Sequence, residues 1–178
     1  MRALAFLFGG AMLAAQAVPN QELSTYPYRV EHAGIAEELG HVGAWAEALP
    51  TSNRADQRKY MTWIVVFLDE HVASHVAFEE KKVYPAVERR TEATAPPVTE
   101  SFRAEHRVVA RWMAELAAIR REKNPDVRLF ARRTHNLIGL LQAHFETEEE
   151  ILLPLLDPAM TPEEYKREIG HGTHGGPT

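Results

Sequence analysis

The chain has 178 residues, with 20 basic and 25 acidic side chains and a formal net charge of −5. This balance excludes a polybasic surface for nucleic acid or anionic membranes as a first expectation. No cysteine is present, which excludes disulfides, thiolate zinc sites, iron–sulfur clusters and a lipoprotein anchor. The apolar fraction of 45% is sufficient for one buried core. Histidine is unusually frequent, with nine copies, so its positions decide whether the copies share a function.

Residues 1–17 have the order of a secretory signal. Arg2 precedes an apolar run from Ala3 to Ala15, and the segment closes with the small-x-small pattern Ala15-Gln16-Ala17. The run is shorter than the roughly 20 residues that cross a bilayer as a helix. We therefore expect cleavage near Val18 and an exported, periplasmic protein with no stable membrane anchor after processing. The alternatives are an apolar helix packed on a cytoplasmic domain and an uncleaved anchor.

After Tyr26 the hydropathy pattern predicts four long helices and almost no alternating strands. Segment A ends at Pro50, and segment B follows the cap candidates Thr51-Ser52-Asn53. Segment C follows Pro96-Pro97. Segment D is predicted to begin at Asn124-Pro125, with asparagine as N-cap and proline at the first helical position.

Each segment has a seam, a row of residues three or four positions apart that forms one face of a helix. The predicted seams are His32, Ile35, Leu39, Val42, Ala46 and Leu49 in A, Ile64, Leu68, His71, His75, Phe78 and Glu79 in B, Phe102, His106, Val109, Met113 and Leu116 in C, and Leu137, Leu141, His144, Glu148, Ile151 and Leu155 in D. Short connections between such helices predict an all-α fold, an up-down-up-down antiparallel four-helix bundle.

The predicted bundle occupies residues 26–157, after a signal peptide at 1–17. Thr161-Pro162-Glu163-Glu164 has the pattern of a capping box that opens a short C-terminal helix. The remaining end is rich in glycine and includes His171 and His174, so we expect a tail there. Residues 158–178 are thus predicted to hold a short helix and a Gly/His-rich tail.

The second half of the chain repeats the polar residues of the first. The matching residues are Glu31, His32, His75, Glu79, Glu80 and Pro85 in the first half and Glu105, His106, His144, Glu148, Glu149 and Pro154 in the second. A histidine and a glutamate four residues apart lie one helical turn apart on the same side. Four imidazoles and two carboxylates are therefore predicted to converge on the centre of the bundle.

This set of side chains suits two metal ions better than one. If Glu79 and Glu148 bridge the ions and each ion takes two histidines, each has four protein ligands. Positions then remain for solvent, an oxo or hydroxo bridge, and a small ligand. Imidazole with carboxylate favours iron, with manganese or zinc possible. Chance His-x-x-x-Glu pairs on solvated faces are the alternative, but the doubled pattern, the matching prolines and the apolar seams argue against it.

Four histidines and two glutamates carry a resemblance to the hemerythrin-like HHE cation-binding domain family: His32, His75-x-x-x-Glu79, His106 and His144-x-x-x-Glu148. The resemblance covers about residues 26–157. It implies a four-helix bundle with a non-haem di-iron centre, in which the four histidines are terminal ligands and the two glutamates bridge the ions.

One position departs from the oxygen-carrying members of that family. They have a further histidine one turn after the ligand on the third helix, and this chain has Ala110 there. The chain is more similar to four-histidine members, which are associated with iron sensing, nitric oxide, peroxide and repair of iron centres.

The expected function is that of a metal-binding module whose di-iron centre binds or reacts with O2, NO or peroxide, in oxidative or nitrosative stress or in iron handling. An enzyme with peroxidase or NO-reducing activity is an alternative, and no catalytic residue is assigned. A reversible O2 carrier is another alternative if His71 is a fifth histidine ligand. A bundle whose metal only adds stability is the third. Small diatomic molecules or peroxide are the expected partners, with no nucleic acid.

Further histidines lie outside the predicted set of six ligands. His71 lies one turn before His75 and is interpreted as an extra ligand, a supporting group or a core histidine with satisfied hydrogen bonds. His41 and His135 lie nine residues from predicted ligands, which places them on the opposite side of their helices, at the surface.

Acidic residues beside the predicted ligands have secondary roles at most. Glu31 and Glu105 each precede a ligand by one residue and are expected only to orient a neighbouring imidazole. In the acidic run 148–150, only Glu148 lies on the seam. The other two glutamates are predicted to lie on a solvated face.

Overall fold

The computed structural model of the chain describes residues 23–91 and 95–170. Within these ranges the helices are joined by short turns and loops and there is no strand, which confirms the all-α prediction for this part of the chain. None of these helices is both long and apolar enough to cross a membrane. The predicted signal peptide at 1–17 and the tail histidines His171 and His174 lie outside the described residues.

Four long helices and one short helix make up the described residues. They are α1 (Tyr26–Ala48, followed by a 3-10 turn at Leu49–Thr51), α2 (Arg54–Phe67, a π turn at Leu68–Val72, Ala73–Phe78, a π turn at Glu79–Val83, and Tyr84–Thr91), α3 (Ala95–Arg121), α4 (Val127–Thr147, a π turn at Glu148–Leu152, and Leu153–Leu156) and α5 (Pro162–Glu168). Helix α1 packs against α2 and α4, and α3 packs against the same two helices.

Side chains cap the starts of α2, α4 and α5, and two predicted helix starts are corrected. Helix α3 begins at Ala95, before Pro96-Pro97 and not after it. Asn53 caps α2 by accepting hydrogen bonds from two backbone N–H groups of its first turn. The predicted start of α4 at Asn124-Pro125 is wrong, because Asp126 is the N-cap and accepts from two backbone N–H groups. Asn124 instead accepts a hydrogen bond from Arg54 at 2.8 Å. The capping box at Thr161 is confirmed.

Two apolar clusters lie on either side of the predicted ligands. One contains Ile35, Val72, Val109 and Leu141, among others, and the second contains Tyr28, Val83, Phe102 and Leu152, among others. On every long helix the predicted ligands lie in sequence between members of the two clusters. The polar residues therefore lie in the middle of the bundle with apolar packing along the helices in both directions.

The predicted seam is buried along all of α1 but shifts on α4. Ile151, predicted to face the core, is 49% exposed, whereas Leu152 and Leu156 are fully buried. The cause is the π turn at Glu148–Leu152, since a π turn closes its hydrogen bond over five residues instead of four. Every later residue therefore moves round the helix by one position.

A proline follows two of the three π turns. Pro85 lies two residues after Glu79–Val83, and Pro154 lies two residues after Glu148–Leu152. Proline has no N–H to donate to the carbonyl four residues earlier, and its ring clashes with that carbonyl in a regular α-helix. The repeated prolines therefore mark positions where the α-helical hydrogen bonding has to change. The π turn at Leu68–Val72 has no such proline, and nothing in its sequence explains it.

Candidate metal centre

All four long helices contribute side chains to the centre, and the structure brings the six predicted ligands together. They are His32 from α1, His75 and Glu79 from α2, His106 from α3, and His144 and Glu148 from α4, and none is more than 4% exposed. They form two overlapping groups whose candidate ligand atoms lie within 4.8 Å of one another: His32, His75, Glu79 and Glu148 in the first cluster, and Glu79, His106 and His144 in the second cluster.

The imidazoles face each other in pairs through the same ring nitrogen. His32 Nε2 lies 3.1 Å from His75 Nε2, and His106 Nε2 lies 3.1 Å from His144 Nε2. Each pair joins two helices, α1 with α2 and α3 with α4. The two pairs correspond to each other in the sequence repeat.

The other nitrogen of each imidazole has a carboxylate partner. The Nδ1–carboxylate pairs are His32 with Glu149 at 3.1 Å, His75 with Glu31 at 2.9 Å, His106 with Glu80 at 2.9 Å and His144 with Glu105 at 2.8 Å. A carboxylate accepts hydrogen bonds, so a neutral histidine in this position donates from Nδ1 and keeps a lone pair on Nε2. The four Nε2 atoms are thus oriented as metal ligands are.

Two of these partners, Glu80 and Glu149, had no predicted role at the centre. Glu149 was predicted to lie on a solvated face, but it is half-buried and bonded to the His32 ring. Glu80 has the equivalent role in the other half. Glu31 and Glu105 do orient imidazoles, but those of the neighbouring helix. The sequence signal for Glu80 and Glu149 is their shared offset of 5 from the preceding histidine.

Glu79 lies between the two histidine pairs. Its Oε1 is 2.8 Å from His75 Nε2, and its Oε2 is 2.9 Å from His106 Nε2. Glu148 is placed less symmetrically, with Oε2 at 3.4 Å from His32 Nε2 and 3.7 Å from His144 Nε2. One oxygen of Glu79 therefore faces each pair, which is the arrangement that a bridging carboxylate requires.

A buried oxygen of Glu79 tests whether a cation fits this centre. Glu79 Oε2 has no hydrogen-bond partner among the described residues. The nearby His106 Nε2 has no hydrogen to give when the ring donates from Nδ1 to Glu80. A buried carboxylate oxygen without a donor is costly. A metal cation would satisfy this oxygen, so the residues present fit one.

The electrostatics of the centre also favour positive charge. Burial and the charge of Glu79 raise the pKa of Glu148. Burial alone would raise the pKa of Glu79 too, but the charge of His75 and the other imidazoles close to the carboxylate hold it well below its usual value. Burial lowers the pKa of His75 and His144, yet the carboxylates outweigh it and raise these pKa values to about 10 and about 9. A positive charge between Glu79 and Glu148 is therefore stabilised by both carboxylates.

Two buried tyrosines reach the carboxylates and were not predicted. The Tyr28 hydroxyl donates to Glu79 Oε1 and lies 3.2 Å from Glu148 Oε2. The Tyr84 hydroxyl donates to Glu148 Oε1 at 2.8 Å and lies 3.1 Å from His106 Nε2. Burial and the neighbouring carboxylates raise the pKa of both phenols. The repeat offered no signal for them, because its equivalent positions hold phenylalanine and leucine.

His71 lies outside both ligand clusters of the described chain. It is half-buried, and its ring stacks on Phe67 with 5.0 Å between ring centroids. Its role as an extra ligand or a supporting group stays a prediction. His41 and His135 are exposed, which confirms their predicted surface positions.

An apolar cavity of about 310 Å³ lies between α2 and α3 and reaches the second cluster. Leu68, Val76 and Val109 contribute apolar side chains, and His106 contacts the same space. Ala110, which follows His106 by one helical turn, also lines it. The small side chain leaves an apolar approach to one side of the centre.

Comparison with known proteins identifies the family. The sequence model of the family described as Hemerythrin HHE cation binding domain matches residues 25–156, a range that includes all six predicted ligands. Comparison with curated proteins and with solved structures gave no match. Members of this family bind metal cations, as the buried histidine and glutamate clusters of this chain allow. Because the match covers most of its length, the chain belongs to the hemerythrin HHE cation-binding domain family.

Proposed function

We propose that the chain is a non-haem di-iron protein. One ion is assigned to His32 and His75, the other to His106 and His144, and both share Glu79 and Glu148. The observation that supports this proposal best is the pair of facing Nε2 contacts at 3.1 Å, with one oxygen of Glu79 near each pair.

The donor set supports iron. Imidazole and carboxylate suit iron, manganese and zinc, and the absence of cysteine removes the thiolates that would favour zinc or an iron–sulfur cluster. Two bridging carboxylates also offset part of the charge of two cations in a buried site. We propose iron in both positions, with manganese or zinc as substitutes.

The protein residues around the centre orient and protect it. The Nδ1 partners hold each ring so that Nε2 points inward. The two apolar clusters restrict water on either side of the ligands. Two bound iron ions would supply electrons and open positions for a small ligand. The cavity beside His106 gives small, uncharged molecules a route to that side.

We propose that the ligand is O2, NO or peroxide, in oxidative or nitrosative stress or in iron handling. Neither ligand cluster of the described chain includes a fifth histidine, so we favour reaction over reversible O2 carriage. Whether the reaction turns over, as in a peroxidase or an NO reductase, is tested with peroxide. Sustained peroxide consumption by the iron-loaded protein indicates an enzyme, and a stable coloured adduct indicates a binding module.

We also propose an up-down-up-down order for the four long helices. Members of one apolar cluster lie near the start of α1 and α3 and near the end of α2 and α4. Alternating helix directions account for this distribution. The connections 49–53 and 122–126 are short enough for antiparallel neighbours.

Export of the chain is a further part of the proposal and rests on residues 1–17. We expect Val18 or a neighbour to be the N-terminus of protein recovered from its native host. Mass spectrometry of that protein identifies its N-terminal residue. Cytoplasmic protein that retains residues 1–17 would contradict export.

Metal analysis tests the central proposal. Elemental analysis and an optical spectrum of the aerobically purified protein should give two ions per chain, mostly iron. The double change Glu79→Ala with Glu148→Ala should remove most of the metal. Glu146→Ala, at an exposed position of α4, is the matched control and should retain both ions. A stoichiometry of one, or metal binding unaffected by the double change, would contradict shared bridges.

A further inference from the structure

The two ligand clusters are unequal, although the sequence repeat would make them equal. The first contains four residues and the second contains three, because Glu148 belongs to the first alone. Glu148 turns its Oε2 toward His32 and its Oε1 toward the Tyr84 hydroxyl. Glu148 Oε2 thus lies closer to the first histidine pair, at 3.4 Å from His32 Nε2 against 3.7 Å from His144 Nε2.

The Tyr84 hydroxyl lies beside the ligand atoms of the second cluster. Its oxygen is 3.1 Å from His106 Nε2, the same separation as between the facing imidazole nitrogens. Ligand atoms at about 2.1 Å from one ion lie about 3 Å apart when their bonds are at right angles. The tyrosine is fully buried, and its ring stacks on His106 with an interplanar angle of 17°. Both contacts hold its oxygen among the ligand atoms.

The π turn at Glu79–Val83 accounts for this placement. Tyr84 donates its backbone N–H to the Glu79 carbonyl, five residues earlier, so one turn of the backbone separates the two residues. In a regular α-helix, five residues rotate by about 500°, which would point Tyr84 about 140° away from Glu79. The π turn therefore aligns the tyrosine with the shared carboxylate.

The other half of the chain has an equivalent π turn, but no tyrosine follows it. Leu153 follows Glu148 by five residues and is fully buried, but it has no donor atom. Tyr28 contacts oxygens of both bridging carboxylates and lies beside His32 of the first cluster, which already has four residues. The additional donor thus belongs to the second position only.

We propose that Tyr84 is an additional ligand of the second metal ion, beside His106, His144 and the shared Glu79 and Glu148. This inference rests on the proposed metal-binding function. On binding, the phenol O–H bond breaks, the oxygen lone pair forms the bond to the ion, and the proton passes to solvent. Tyrosine oxygen binds iron in other proteins as well. The two ions then differ in their ligands, since the first has no tyrosine.

Ferric-loaded protein tests the assignment by spectroscopy. A phenolate bound to ferric iron produces a visible charge-transfer absorption and resonance-enhanced Raman bands of the tyrosine ring. We expect both signals in the unchanged chain, their loss in Tyr84→Phe and their retention in Tyr28→Phe. Each substitution removes a single hydroxyl from a buried ring, so the two variants are matched. Tyr84→Leu, which copies the other half of the chain, gives a second variant.

A zinc titration provides a readout that does not depend on iron chemistry. Binding of Zn²⁺ by the metal-free protein should release one proton fewer per chain in Tyr84→Phe than in the unchanged chain or in Tyr28→Phe. Circular dichroism during thermal unfolding checks that each variant folds. Equal proton release by Tyr84→Phe and the unchanged chain would overturn the assignment.

The metal count separates failure of this inference from failure of the proposed function. Two ions per chain without a tyrosine signal would overturn the role of Tyr84 and leave the di-iron proposal intact, as would a signal that survives in Tyr84→Phe. A chain that binds no metal would overturn both. With one ion per chain, loss of the signal in Tyr84→Phe would still assign the ligand, and an unchanged signal would reject it.

Discussion

At the scale of single residues, the centre depends on carboxylates that are hydrogen-bonded to the predicted histidine ligands but are not themselves predicted ligands. Each of the four imidazoles donates from Nδ1 to a glutamate, and every such pair joins two different helices. A histidine held in this way has a fixed ring orientation and a more basic Nε2. Ring orientation and metal affinity are therefore controlled by residues that do not touch the metal.

Glu105→Gln tests this control at His144. The glutamine side chain is uncharged, so it accepts the hydrogen bond from His144 Nδ1 more weakly than the carboxylate does. We therefore expect metal affinity to fall by about 10- to 100-fold. Competition with a chelator measures the change. Glu115→Gln is the matched control on α3: it alters an ion pair with Arg133 of α4 and should leave affinity unchanged. Equal affinities for the two variants would show that the Nδ1 partner is dispensable.

His71→Ala separates a supporting group from a ligand. Because His71 lies outside both clusters of the described chain, we expect the variant to retain two ions while its rate of reaction with peroxide or NO changes. Metal content and stopped-flow absorbance measure the two effects. If His71→Ala loses an ion as fully as His75→Ala, the site has five histidines.

At the scale of helices, polar contacts outside the centre hold α2 against α3. Arg103 on α3 donates to Glu88 on α2 at 2.6 Å, and the Thr99 hydroxyl donates to the same oxygen. Burial acts to raise the pKa of Glu88, but these hydrogen bonds outweigh it and lower the pKa below its usual value. Arg103 also reaches Glu80, the Nδ1 partner of His106. The contact between α2 and α3 thus extends to the centre.

Glu88→Gln tests the contribution of that contact through its pH dependence. A carboxylate with a lowered pKa in the folded state stabilises the fold above its unfolded pKa, and this stabilisation is lost as pH falls through the folded pKa. We expect the variant to be about 1 kcal/mol less stable at pH 7 and to match the unchanged chain at acid pH. Urea unfolding of metal-free protein at several pH values measures the difference. Glu122→Gln, at an exposed position, should show no such pattern.

At the scale of the whole molecule, the metal centre lies between two apolar clusters, with an apolar cavity on one side. The clusters restrict bulk water, and the cavity between α2 and α3 leaves a route for small apolar molecules. An oxygen carrier needs one ion filled and the other open, so that O2 leaves intact. Ala110 supplies no imidazole for that purpose.

Exposure of the reduced protein to air tests this difference from the oxygen carriers. We expect the anaerobically reduced, iron-loaded protein to oxidise in air to a stable ferric form and to react with peroxide or NO. Absorbance during exposure to oxygen, followed by evacuation, measures the outcome. A long-lived oxygenated species that releases O2 under vacuum would contradict this expectation and favour the carrier.

The sequence by itself determined the helices, most buried seams and the six converging side chains. Helical periodicity is a local property, so positions three and four apart fall on one face whatever surrounds them. The α1 seam is buried at every predicted position. The doubled His-x-x-x-Glu pattern likewise needed only the helical repeat to predict where its side chains converge.

Only the tertiary structure decided which helices share hydrogen bonds and how far each helix is rotated. The π turns at Glu79–Val83 and Glu148–Leu152 move Ile151 to the surface and align Tyr84 with Glu79. The pairing of Glu149 with His32 joins helices that are far apart in sequence. Such contacts depend on the rotation of each helix and on the distances between helices. Helix packing determines both, and the local periodicity of the sequence does not predict them.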